Sequence, residues 1–178
     1  MKESVDYILK SIQQTLENEV EETDKFVDAI MESRRIFIYG VGRSGLIAKA
    51  FAIRLVQMGL EVYFVGETIT PIVEEGNLVI IVSHTGETMS AIQTANIVRR
   101  VGARVITITA NAHSKLASAS NLVMLIHPPK DDDRKTLAPL GTLFENATLI
   151  YLDSIVARLM EKLGQSEGSL RKRHAIWV

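Results

Sequence analysis

A chain of 178 residues has the length of one domain, since domains run to about 100 to 200 residues, and this excludes a two-domain dehydrogenase or kinase. With 47% apolar and 23% charged residues it has the makeup of an ordinary globule, which at this length buries about 70% of its unfolded surface. The absence of cysteine excludes disulfides, thiolate nucleophiles and iron–sulfur clusters, and a net charge of -1 leaves no global field to draw the chain to nucleic acid or an anionic membrane.

From Met1 the chain enters mixed polar sequence without signal-peptide character. Nothing approaches the roughly 18 uninterrupted apolar residues of a membrane span, so a cytoplasmic protein is expected. Val5, Ile8, Leu9, Ile12 and Leu16 form one stripe of an amphipathic helix. A short second helix is expected over 23–32. Compact apolar runs follow at 36–39, 62–65, 78–82, 105–108 and 122–126. Runs of this kind, rich in β-branched residues and without in-out alternation, are strands of a parallel sheet covered on both faces. Between them, the helical spacing from Leu46 to Met58 stops at Gly59, and that from Met89 to Val101 stops at Gly102.

These elements predict a three-layer, doubly wound α/β sandwich around a five-stranded parallel sheet. One domain is expected over 1–178, with N-terminal helices in 1–33, the sheet core in 34–130, and a C-terminal helix and basic tail in 136–178. The segment 130–135, Lys-Asp-Asp-Asp-Arg-Lys, reads as a solvated loop. The first and last helices carry more apolar surface than one small sheet covers, which predicts self-association.

Ligands of open α/β sheets bind beyond the carboxyl ends of the strands. After the first strand comes Gly40-Val41-Gly42-Arg43-Ser44-Gly45, which meets the G-x-G-x-x-G pattern, and Glu67 stands where a ribose-binding acid would. A chain of this size has little room for a dehydrogenase's substrate domain, so nicotinamide binding is the weaker reading. After the third strand comes Ser83-His84-Thr85-Gly86-Glu87-Thr88. Hydroxyls, free N–H groups and the positive end of a helix macrodipole converge there, as a phosphate site requires. Helix capping accounts for one hydroxyl of the three.

No P-loop and no H-E-x-x-H is present, and His84, His113, His127 and His174 are too scattered to propose a metal site. Glu145 is the one charge between Thr136 and Leu152. Two readings of it stand side by side. A partly desolvated carboxylate has a raised pKa suited to a general base, whereas Thr142-x-x-Glu145 is also a capping box.

The pairing of Gly42-Arg43-Ser44-Gly45 with Ser83-His84-Thr85-Gly86-Glu87-Thr88 resembles the sugar isomerase (SIS) domain family, whose sheet is flavodoxin-like. Three further blocks carry the resemblance, Val65-Gly66-Glu67-Thr68-Ile69-Thr70-Pro71, Leu137-Ala138-Pro139-Leu140-Gly141-Thr142-Leu143-Phe144-Glu145 and Arg173-His174-Ala175. Together they cover nearly the whole chain. The resemblance implies an isomerase of phosphorylated ketohexoses, interconverting 3-hexulose 6-phosphate and fructose 6-phosphate through a cis-enediolate without metal or organic cofactor. It implies catalytic roles for Glu145 and for His174, the latter presented across a subunit interface of a tetramer. The implied phosphate- and substrate-binding residues are Gly42, Arg43, Ser44, Ser83, His84, Thr85, Gly86, Glu87 and Thr88. His84 departs from the pattern, which usually has glycine there. The alternatives are an isomerase of another sugar phosphate, such as an arabinose or heptulose phosphate, and a non-catalytic sugar-phosphate sensor. A sensor needs a partner domain, and this chain carries no DNA-binding module.

Overall fold

A computed structural model describes residues 1–17 and 20–175. Two N-terminal helices, α1 (Lys2–Leu16) and α2 (Thr23–Glu32), precede β1 (Ile36–Gly40), α3 (Gly42–Gln57), β2 (Val62–Phe64), β3 (Leu78–Val82), α4 (Met89–Arg100) and β4 (Arg104–Thr109). After these come α5 (Lys115–Ser118), β5 (Leu122–Leu125), α6 (Arg134–Leu137), α7 (Thr142–Lys162) and α8 (Glu167–Lys172). The five strands are all parallel in the order β2-β1-β3-β4-β5.

Strand residues point alternately into two apolar layers, and both are dry. Ile36, Ile38, Leu78, Ile80, Ile106 and Ile108 face a core shared with α2, α3 and α7. Phe37, Val79, Ile81 and Val105 face a second core shared with α4 and Leu116 of α5. Burial on both faces removes any polar phase from the strands, which is why they read as continuous apolar runs. Helix α7 is buried around much of its circumference, from Leu143 and Phe144 to Leu159, because it packs between the sheet layer, α3 and α1.

The structure adds to the sequence reading at the segment 130–135 and at the basic tail. The segment 130–135 is not simply a solvated loop: it leads into the single turn of α6, and Ser4 of α1 donates to the Leu137 carbonyl at 2.6 Å while Tyr7 donates to Asp131 at 2.7 Å. The basic tail begins as a helix, α8, whose start is a capping box between Ser166 and Ser169. Val41, Leu46, Ile53, Val56 and Leu9 leave large apolar side chains exposed. No helix among the described residues is long and apolar enough to cross a membrane.

Leu55 joins α3 to the first core with 0% of its surface exposed. Leu55→Ala is expected to destabilise the fold by about 2 to 5 kcal/mol through lost transfer energy and a residual cavity. Urea unfolding should show a lower midpoint at an unchanged slope.

Candidate active site

The strand order runs outward in both directions from the β1–β3 pair, which makes that pair the switch point of the sheet. Gly40 is in register with Val82, so the loops after β1 and β3 leave the sheet side by side. Both loops lead straight into helices that lack side-chain caps, at Val41 for α3 and Thr88 for α4. The first-turn N–H groups of two helices are thereby left for a ligand, and both macrodipoles are positive at the same spot. The approach is close: a Cβ on Gly45 would stand 2.5 Å from the Gly40 carbonyl oxygen, so α3 begins this near β1 because residue 45 is glycine.

Ser83, 4% exposed, accepts from the Gly86 N–H at 3.2 Å and lies 3.3 Å from the Thr88 hydroxyl. Thr85 Oγ1 accepts from the Glu87 N–H at 3.2 Å. Gly86 has φ +67°, and a Cβ there would overlap the Ser114 side chain. The loop is tied to β4, since the His84 carbonyl accepts from the Ala110 N–H at 3.0 Å and the Ser83 N–H donates to Ile108 at 3.0 Å. Ser44, Ser83, Thr85 and Thr88 thus line a cavity of about 170 Å³. That is smaller than the roughly 300 to 1,000 Å³ of pockets for larger organic ligands, and suits a phosphoryl group. A neighbouring cavity of about 650 Å³ opens on the other side of His84 and Thr85, toward β4, β5 and α6.

Glu145 is 7% exposed and sits in the first turn of α7. The capping-box reading does not hold. Gly141 occupies the cap position, and Thr142 already lies in the helix with its hydroxyl donating to Pro139 at 2.7 Å. Glu145 is instead ion-paired with the Nε of Arg43, which reaches across from the start of α3. A Cβ on Gly141 would meet Glu145 Oε1 at 2.9 Å and His84 Nδ1 at 3.4 Å, so the carboxylate and the imidazole converge over this glycine.

His84 is half-buried and stacks on Phe144, with centroids 4.9 Å apart and 23° between planes. Burial pushes its pKa below the ordinary histidine value; Glu145 pulls the other way, and Arg134 and Lys130 add to the lowering.

Other expected site residues stand outside the cradle. Glu87 borders the larger cavity, accepting from the Lys115 N–H at 3.1 Å and pairing with its ammonium at 3.4 Å, where it steadies the start of α5. His174 is exposed at the far edge of the sheet: the adjacent Arg173 donates to the Gln57 carbonyl at 3.2 Å and packs on Gly59, past the end of α3. The 16 residues of α3 span about 24 Å, so His174 does not reach the cradle of its own subunit. His113 is exposed, and His127 is bonded through Nδ1 to the Ala110 carbonyl at 2.9 Å. No group of three or more potential metal ligands occurs among the described residues.

Sequence reasoning missed Arg134, which lines the larger cavity and donates to the Leu140 carbonyl at 3.0 Å. Leu140 holds φ 58°, a left-handed conformation unusual for leucine and of the kind that marks functional loops.

The SIS domain family model matches residues 29–151. A 3-hexulose-6-phosphate isomerase of Bacillus subtilis is 41% identical over 159 residues, covering 87% of this chain and 86% of that protein. One of Methanocaldococcus jannaschii is 36% identical over 151 residues, covering 85% of this chain and 81% of that protein. A crystal structure of a Methanococcus jannaschii protein, for which a molecular function of 3-hexulose-6-phosphate isomerase was inferred, superposes with a TM-score of 0.88 at 32% identity over 99% of each chain.

Gly86→Ala tests the cradle directly. Strain at positive φ together with the Ser114 overlap is expected to cost about 1 to 3 kcal/mol of stability. It should also weaken inorganic phosphate binding at least about tenfold, which amounts to the ~1.4 kcal/mol of one good hydrogen bond. Calorimetric titration showing wild-type phosphate affinity would contradict the assignment.

Proposed function

We propose that this chain, a sugar-phosphate isomerase that belongs to the SIS domain family, interconverts 3-hexulose 6-phosphate and fructose 6-phosphate. The observation that carries the reading is a buried carboxylate, Glu145, beside a hydroxyl-lined cradle between two uncapped helix N-termini. The names of the relatives that cover most of the chain support the choice of substrate. The phosphate binds to the hydroxyls of Ser44, Ser83, Thr85 and Thr88 and to N–H groups of both loops, with Gly42 and Gly86 letting the backbone come close.

With the phosphate fixed, the ring-opened chain extends toward Glu145. The reaction moves one proton between C2 and C3. The Glu145 carboxylate takes it from one carbon, the C–H pair becomes the double bond of a cis-enediolate, and the proton returns to the neighbouring carbon as the carbonyl re-forms one position along. No electrons enter or leave. The developing oxyanion meets N–H donors of the 40–44 loop and the Arg43 guanidinium, which stabilise it as charge builds. A sensor has no use for a base, and the convergence of Glu145, Arg43 and His84 favours the enzyme.

His174 serves a neighbouring subunit in this reading, since it stands about the length of α3 from its own cradle. The exposed apolar side chains Leu9, Leu46, Ile53 and Val56 support self-association, and we infer a tetramer. Sedimentation should report an oligomer; a monomer that is fully active would remove His174 from catalysis.

The deciding experiment supplies 3-hexulose 6-phosphate and detects fructose 6-phosphate in a coupled assay. Turnover is expected, and binding without turnover would favour a sensor. Glu145→Gln should lower kcat by about 100-fold or more with KM little changed, as for loss of a general base. The double change Ser83→Ala, Thr85→Ala should chiefly raise KM, and an unchanged KM would contradict the phosphate assignment.

A further inference from the structure

We propose that His84 is a second catalytic group within the same subunit, its imidazole carrying the proton between the two oxygens of the enediolate while Glu145 carries the proton between the two carbons. The inference rests on the isomerase reading above. Shifting a carbonyl from C2 to C3 needs both transfers, and they occur in different directions. The C–H bond that breaks stands over the face of the carbonyl plane so that its electrons can enter the π system. The oxygen lone pairs and O–H bonds lie near that plane. A carboxylate placed over the face is therefore badly placed for the oxygens at the edge, and a separate group must serve them.

His84 occupies the required position. It belongs to the phosphate loop itself, lines both the cradle and the larger cavity, and converges with Glu145 over Gly141. The ring is held by its stack on Phe144, and the backbone by the bonds to Ala110 N–H and the Thr109 hydroxyl at 3.0 and 3.2 Å. A group so fixed keeps its alignment without reorganising during the reaction. His113 and His127 also line the larger cavity, but neither lines the cradle, His113 is exposed and His127 is tied to a carbonyl, while His174 lies at the far edge of the sheet.

The protons balance. As Glu145 removes the C3 proton of fructose 6-phosphate, a ring N–H of His84 gives its proton to O2. The same nitrogen then takes the O3 proton as the carbonyl forms at C3, and Glu145 returns its proton to C2. The imidazole starts and ends neutral. Its surroundings favour that state, since burial, Arg134 of α6 and Lys130 before it oppose the imidazolium against the single pull of Glu145 from α7. Glu87 on the same loop is engaged by Lys115. A neutral imidazole both donates and accepts, whereas an imidazolium only donates.

The test compares wild type with His84→Gln and His84→Asn in the hexulose phosphate assay across the acid pH range, in D2O as well as H2O. Tm and inorganic phosphate affinity identify the variant that keeps the fold and the cradle, and that variant is read. The expected result is a kcat at least about 100-fold lower with KM within about threefold. Deuterium uptake at carbon should persist, and it is abolished only in Glu145→Gln. A variant with wild-type kcat overturns the role of His84 and leaves the isomerase reading standing. Absence of turnover in the wild type overturns that reading, and this inference with it.

Discussion

Register between two parallel strands decides where everything else can stand. Gly40 faces Val82 at the point where the strand order reverses, so the chain must leave β1 and β3 toward opposite layers from adjacent positions. The two following helices then diverge from a common origin, and their N–H groups point back at it. A cradle for an anion is a consequence of that geometry before any side chain is specified. Side chains refine it. Gly45 lets α3 begin almost in contact with β1, and Ser83, Thr85 and Thr88 supply hydroxyls where the N–H groups leave gaps. A net charge of -1 is no obstacle, because the field at the cradle comes from two helix ends and not from the surface.

The ion pair of Arg43 and Glu145 joins this cradle to the reacting end of the site. A carboxylate 7% exposed is costly to hold without a partner, and the guanidinium from the neighbouring loop supplies one. Arg43 keeps most of its side chain in solvent, at 65% exposure, so it can move without disturbing the core. One exposed residue thus offsets a buried charge. The loop after β1 therefore both borders the cradle and holds the Glu145 carboxylate, within a span of a few residues.

The sheet was legible because burial on both faces leaves a signature that needs no neighbours to interpret, namely β-branched runs without alternation. The C-terminal ends of α3 and α4 followed from spacing and from the glycines just past them, Gly59 and Gly102. The segment 130–135 was misread because its composition reports only charge. Its ties to α1 come from Tyr7 and, just past it at Leu137, from Ser4, residues more than a hundred positions away. Glu145 was legible as an isolated charge in an apolar stretch, yet its rival explanation as a helix cap could be dismissed only by seeing that the helix starts at Thr142. The Arg43 partner and the stack of His84 on Phe144 belong to the same class. Each depends on where two distant segments meet, and periodicity carries no information about that.

The distribution of imidazoles shows what one subunit can accomplish by itself. Ligand-facing groups of this fold gather at the carboxyl edge of the sheet, and α3 runs away from that edge for its full length before the C-terminal segment docks at its other end through Arg173 and Gln57. A residue carried by that segment is excluded from its own cradle by the rise of a helix, not by flexibility or sequence distance. Any work His174 does must then depend on assembly and vary with protein concentration. Work done by His84 has no such dependence, because its ring is positioned by α7, β4 and its own loop. The proton relay proposed for His84 is therefore complete within one chain, whereas a role for His174 requires assembly.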